Sequence, residues 1–211
     1  MERIFAIGDI HGCLDKLTSL MRILDIDTEK DTLVFMGDYI DRGPHSKEVV
    51  EYLIDLAGRQ DRVIFLKGNH ELMLQNYVNG TDMLTFLANG GEATLQSYLR
   101  DAPYPGNRAI PEKHLDFFDS LRLYYDTDDF LFVHAGLRPN VPLEEQDEMD
   151  MLWIRDEFIY SDFSFGKRVI FGHTPFPEPL VMKNKIGIDT GAVYGNKLTC
   201  VRLPDVRFYR V

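Results

Sequence analysis

The stretch "VIFLKGNHE", Val63 to Glu71, passes abruptly from four apolar residues to Lys67-Gly68-Asn69-His70-Glu71. A run of that length, rich in β-branched and aromatic residues, reads as a buried strand, and the glycine with its polar neighbours reads as the turn that ends it. An amide, an imidazole and a carboxylate side by side are more than a turn requires. The same pattern recurs in "RIFAIGDIHG" (3–12), "TLVFMGDYID" (32–41), "FLFVHAG" (130–136), "VIFGHT" (169–174) and "IGIDTG" (186–191), each closing on glycine beside a metal-ligand type.

Between the first three runs lie segments with helical periodicity. Leu14, Leu17, Leu20, Met21 and Leu24 share one face, and Val49, Val50, Leu53, Ile54 and Leu56 share another, with Ser46 as the expected N-cap of the second helix. Strand, helix, strand, helix, strand implies parallel strands joined by right-handed crossovers. In such sheets ligands collect beyond the carboxyl ends of the strands, so residues distant in sequence would converge there. From Leu121 onward the style changes, with "TDD" (127–129) as a tight turn, Gly195-Asn196 as a turn signal and a strand-like tail, and this half is expected to be more antiparallel. The middle, about 72–120, reads as helices whose Leu, Phe and Met positions are packing, and no chemistry is expected from it. Asp101 to Pro111, with Pro103, Pro105, Gly106 and Pro111, reads as a loop.

A chain of 211 residues with 45% apolar content is long enough for one compact domain over residues 1–211. Its 23 Lys and Arg against 34 Asp and Glu give a net charge of −11, which argues against a non-specific grip on nucleic acid or an anionic membrane. There is no apolar run of the roughly 20 residues needed to span a bilayer and no signal-peptide pattern, so a cytoplasmic protein is expected. Cys13 and Cys200 lack any CxxC spacing and read as reduced thiols.

The converging strand ends supply Asp9, His11, Asp38, Asn69, His134 and His173. A mixed carboxylate, imidazole and amide set suits borderline or hard divalent ions. Six ligands exceed one tetrahedral zinc but suit two ions sharing a carboxylate, an arrangement that can clamp the attacking and leaving oxygens of a phosphoryl displacement.

The motifs "GDIHG" (8–12), "GDYIDRG" (37–43), "GNHE" (68–71), "HAG" (134–136) and "GHT" (172–174) stand in one order along the chain. In this the sequence resembles the phosphoprotein phosphatase family of metallophosphoesterases, in particular its small bacterial and phage-type members. The resemblance implies an α/β fold, a four-layer αββα sandwich of two mixed β-sheets of the calcineurin-like metallophosphatase type. It implies that Asp9 and His11 hold one metal, that Asp38 bridges, and that Asn69, His134 and His173 hold the second. Manganese is the first choice for both ions, with iron or zinc as alternatives. It further implies His70 as general acid, Asp41 as its partner, and Arg42, Arg155 and Asn69 as binders of the substrate phosphate. The expected reaction is direct in-line attack by a metal-held hydroxide on a phosphomonoester, with His70 protonating the leaving oxygen.

The expected substrate is phosphoserine or phosphothreonine on a protein or peptide, with phosphotyrosine or another small phosphoester compatible. The alternative is a dinucleoside polyphosphate hydrolase of the diadenosine tetraphosphatase type, which shares "GDIHGC" and a Gly-Pro-X-Ser element like Gly43 to Ser46. That subgroup typically lacks an aspartate matching Asp41 and reads GNHD where this chain has "GNHE", and both differences favour the phosphoprotein. A non-catalytic metal-binding scaffold would have shed ligands or acid, and none is missing. Within "KGNHE", Gly68 is expected to make the turn, a bend to separate the roles of Asn69 and His70, and Glu71 to position rather than ligate. Asp189 reads as support behind the ligands, His45 as a loop residue, His114 as packing, and Tyr194 as a surface residue that could line the cleft.

Overall fold

The computed structural model describes residues 3–100 and 110–211. The loop expected over 101–111 lies almost wholly outside them. The chain runs β1 (Ile4–Ile7), α1 (Leu14–Ile23), β2 (Thr32–Phe35), α2 (Ser46–Ala57), β3 (Val63–Phe65), α3 (Asn69–Val78), α4 (Met83–Phe86), α5 (Glu92–Leu99) and α6 (Glu112–Asp119). It continues as β4 (Tyr124–Asp126), β5 (Phe130–Val133), α7 (Glu148–Trp153), α8 (Asp156–Ile159), β6 (Arg168–Phe171), β7 (Leu180–Val181), β8 (Lys185–Gly187), β9 (Thr199–Leu203) and β10 (Arg207–Arg210).

Two five-stranded sheets result, ordered β10-β9-β1-β2-β3 and β4-β5-β6-β8-β7. Strands β1, β2 and β3 are parallel, as the alternation with helices requires. The second half is mixed: β4 and β7 run antiparallel to their neighbours and β9 runs antiparallel to β10, as expected, but β5, β6 and β8 are parallel. The "TDD" turn makes the β4–β5 hairpin, closed by the Thr127 N–H donating to the Phe130 carbonyl at 3.0 Å. The strand-like tail joins the other sheet, with β9 antiparallel to β1. Turn residues announce local hairpins, but the crossovers that make β5, β6 and β8 parallel are made of short helices and irregular chain with weak periodicity.

Period-two alternation sorts the strands between layers. Phe5, Ile7, Leu33 and Phe35 pack with Leu17, Leu20, Val49, Val50 and Leu53 of α1 and α2. Ala6 and Val34 face the other way, onto Phe132, Ile170 and Ile186 of the second sheet. Leu131, Val133, Val169 and Phe171 pack outward on Met151, Ile154 and Phe158 around α7 and α8. These three apolar interfaces are the three seams of an αββα sandwich, and each fully buried large apolar side chain contributes about 1.5–3 kcal/mol. Sheet one and sheet two are thereby stacked with the carboxyl ends of their parallel strands meeting along one edge.

Candidate active site

Every loop at that edge carries one of the expected residues, and the backbone there is strained. His11, Asp38, Asp41, Arg42 and His173 all have φ between 45° and 72°. A left-handed conformation costs a residue with a Cβ about 1–2 kcal/mol, and clustering of such residues is characteristic of sites where surrounding contacts over-determine the geometry. The strain falls on the functional residues themselves. Gly68, expected to make the turn, has φ −97° and caps α3 in an extended conformation. It is glycine for a different reason: a Cβ there would overlap Asp38 Oδ1. Nor does the chain bend between Asn69 and His70. Both lie in the first turn of α3, where successive side chains diverge by the helical rotation of 3.6 residues per turn.

Asp38 is the hub. Its Oδ1 lies 3.4 Å from His134 Nε2 and its Oδ2 3.5 Å from His11 Nε2, so each carboxylate oxygen faces a different imidazole. Asn69 Oδ1 lies 2.9 Å from His173 Nδ1 and 3.0 Å from His134 Nε2. Two overlapping groups of buried potential ligands follow, His11 with Asp38 and His70, and Asp38 with His134 and His173. Asp9 stands outside both groups. It is buried, and its Oδ2 accepts the His173 backbone N–H at 2.9 Å.

Whether a metal fits here can be judged from the donors. His11 and His134 each direct Nδ1 at a backbone carbonyl, Ile40 and Met36 respectively, both at 2.8 Å. That contact places the proton on Nδ1 and turns the Nε2 lone pair into the site, the arrangement seen in metal-binding histidines. The His134 lone pair then confronts the Asn69 amide oxygen and the Asp38 carboxylate, acceptors facing acceptors. Asp9 Oδ1 and His173 Nε2 are buried without any partner. Burial works against charge on His134, yet Asp38 beside it overcomes this and pushes the imidazole up to about 10. The cluster therefore draws positive charge between its acceptors, and the donor set fits hard or borderline divalent cations.

His70 differs from the other imidazoles. Its Nδ1 lies 2.6 Å from Asp41 Oδ2, and both side chains are at most 1% exposed. Burial pushes Asp41 up to about 8 and His70 down to about 4, so each is favoured neutral. A neutral pair has the carboxyl donating to Nδ1, which leaves the imidazole proton on Nε2, 3.9 Å from Asp38 Oδ2 and facing the hub. Glu71 does not face the site. Its Oε2 accepts the N–H groups of Asp38 and Gly68, both at 2.9 Å, and its Oε1 accepts that of Tyr39 at 2.8 Å, which locks the Asp38 turn to the start of α3.

Arg42 Nη1 donates to His11 Nε2 at 2.6 Å, and the exposed Tyr194 ring lies over its guanidinium at 5.6 Å. Arg155, exposed at the start of α8, donates to Thr174 Oγ1 at 3.3 Å. Trp153 packs edge-on against His173. Asp189 is buried and caps the Gly191 N–H at 2.9 Å behind the ligands. His45 is the half-buried residue preceding α2, and His114 is buried against the Tyr98 hydroxyl at 2.8 Å. Ser46 is not the N-cap of α2 but its first residue. Its Oγ accepts the Asp41 N–H at 3.1 Å instead.

The site also uses a residue that periodicity hides. Thr94 Oγ1 donates to Asp41 Oδ1 at 2.6 Å and accepts the Asp41 N–H at 2.9 Å. It sits in the helical middle from which no chemistry was expected. A buried threonine between Ala93 and Leu95 is the sole trace of it in the sequence.

Together the fold and this edge define a metallophosphoesterase. The chain belongs to the calcineurin-like phosphoesterase family, whose profile matches residues 2–203. It is 30% identical over 229 residues to the bis(5'-nucleosyl)-tetraphosphatase PrpE [asymmetrical] of Bacillus thuringiensis subsp. konkukian, covering 95% of this chain and 90% of that one. A crystal structure provisionally described as a diadenosine tetraphosphatase superposes with a TM-score of 0.77 at 24% identity, over 99% of this chain and 92% of that one. A Saccharomyces cerevisiae protein serine/threonine phosphatase superposes with a TM-score of 0.67 at 18% identity, over 99% and 78%. These two structures share the fold. Among the described residues no helix is long and apolar enough to cross a membrane.

Proposed function

We propose that the protein is a two-metal hydrolase of dinucleoside tetraphosphates, cutting the phosphate chain off-centre. The observation that carries this reading is the likeness to PrpE along nearly the full length of both chains. It reverses the ranking drawn from sequence, and the geometry supplies a reason. The two positions that favoured a phosphoprotein, Asp41 and Glu71, both lie behind the reaction centre. Glu71 is occupied by three backbone N–H groups, and Asp41 by His70 and Thr94. Neither side chain reports which ester is cut.

In this reading Asp38, with His11 and Asp9, would hold one divalent ion, and Asp38, with Asn69, His134 and His173, would hold a second. When bound, such ions offset phosphate charge and lower the pKa of coordinated water from 15.7 to about 7. Arg42 and Arg155 present forked donors to the phosphoryl oxygens, which suits planar, bidentate recognition. His70 delivers the Nε2 proton to the departing oxygen while its Nδ1 takes the Asp41 carboxyl proton across the 2.6 Å contact, so the ring stays neutral and Asp41 is left as carboxylate. The exposed Tyr194 face beside Arg42 offers a stacking surface for a nucleobase, an interaction of about 1–3 kcal/mol per base.

The test is a manganese-supplemented panel of diadenosine tetraphosphate, a phosphoserine peptide and a phosphotyrosine peptide. The expected result is a kcat/KM for the dinucleotide at least about tenfold above either peptide, or about 1.4 kcal/mol of transition-state discrimination. A preference for phosphoserine would restore the protein phosphatase reading.

A further inference from the structure

We propose that Thr94 is a positioning residue for the His70–Asp41 pair, and that α5 is thereby part of the catalytic apparatus although it lies far from the strand ends in sequence. This rests on the reading of His70 as general acid. Thr94 is fully buried, and its hydroxyl makes two contacts with one residue. It has a single proton, and that proton goes to Asp41 Oδ1 at the shorter distance, 2.6 Å. One lone pair of the same oxygen takes the Asp41 N–H. The Ser46 and Thr94 hydroxyls lie 3.1 Å apart, closing a triangle around the left-handed Asp41.

The consequence is a fixed carboxyl plane. With Oδ1 engaged by Thr94, only Oδ2 remains for His70 Nδ1, and the imidazole cannot follow a rotating partner. The segment preceding α5 performs the same service for the neighbouring residue. The Gly90 carbonyl accepts the Arg42 N–H at 3.1 Å, and Gly90, at φ +100°, leaves no room for a Cβ against Arg42 Cγ. The helical middle thus grips both Asp41 and Arg42 from outside the sheet edge, and Thr94 is the contact that reaches the acid.

Thr94→Val, nearly isosteric and lacking the hydroxyl, tests this against a merely structural role. On the panel substrate turned over fastest, kcat should fall on the order of tenfold, as for other residues that orient a catalytic group, with KM and bound metal unchanged. Thr94→Ser should recover kcat to within about threefold, because it keeps the donor and the acceptor. Combined with His70→Asn, Thr94→Val should cost little beyond the His70 change alone, since both act through one proton donor. Should the valine variant not fold, Thr94→Ala carries the same expectations. A lowered Tm with unaltered kcat, or losses that multiply in the double variant, would overturn the positioning role while leaving His70 as acid. Undiminished turnover in His70→Asn would instead remove the acid, and the proposal with it.

Discussion

The two sheets bring unequal halves to the site. From the first sheet come His11, Asp38, Asp41 and Arg42, all left-handed and tied down by Glu71, Ser46, Thr94 and the Gly90 carbonyl. From the second come His134 and His173, of which only His173 is left-handed, and Arg155, which is exposed and has one long hydrogen bond. Strain of this kind persists only where many contacts enforce it, so the first half is where reacting groups need fixed orientation. In the second half one ligand is placed by a parallel strand without strain: His134 directly follows β5, with its ring braced on the Met36 carbonyl. The first half thus carries the acid pair together with the ligands Asp9, His11, Asp38 and Asn69, and the second half adds two imidazoles, His134 and His173, with less backbone strain.

Asp38 belongs to both halves, and its loss should have the largest effect. Asp38→Asn keeps an oxygen for the His70 N–H, now 3.1 Å from Oδ1, so folding should survive. The charge between the two imidazoles would be gone, and turnover should fall to background with metal depleted from both positions. Elemental analysis giving two full equivalents would show that the halves do not share this carboxylate.

His70→Asn breaks the first half alone. Metal content should be unchanged, and hydrolysis of an ester with a basic leaving oxygen should fall by roughly 10²-fold or more, the usual size of general acid catalysis. The loss should be smaller for the dinucleotide, whose departing phosphate oxygen needs a proton less. Equal losses on both would mean that His70 acts by something other than proton donation, and depleted metal would move it into the ligand set.

The sequence exposed this division unevenly. Strand ends closing on glycine and a ligand type made the convergence of Asp9, His11, Asp38, Asn69, His134 and His173 at one edge legible, because a parallel sheet forces its carboxyl ends together. The sandwich was expected through the resemblance that the ordered motifs carry, not from the apolar runs themselves. Thr94 and Ser46 were not, since a hydroxyl on an amphipathic helix carries no pattern; its meaning depends on the three-dimensional approach of α5 and α2 to one loop. The parallel order of β5, β6 and β8 was hidden by turn signals that describe neighbours in sequence but not in the sheet. The substrate ranking rested on a subgroup pattern, an aspartate at 41 and GNHE in place of GNHD, and both side chains spend their hydrogen bonds on backbone N–H groups, His70 and Thr94, where neither distinguishes one ester from another.

Arg155 gives the smallest and most discriminating test of the comparison. It is exposed, and its hydrogen bond to Thr174 at 3.3 Å holds it weakly, so removing it should leave Tm and metal content unchanged. A hydrogen bond to a charged group is worth about 1.5–3 kcal/mol when well formed, and exposure places Arg155 at the low end, so Arg155→Ala should reduce kcat/KM by about tenfold, chiefly through KM. Arg42, gripped through its own N–H by the Gly90 carbonyl, has less freedom to lose on meeting a phosphoryl group, and Arg42→Ala should cost more and lower kcat as well. The order of the two variants is the point. If Arg155→Ala is the more damaging, transition-state recognition resides in the second half, and the strain concentrated around Arg42 needs another explanation.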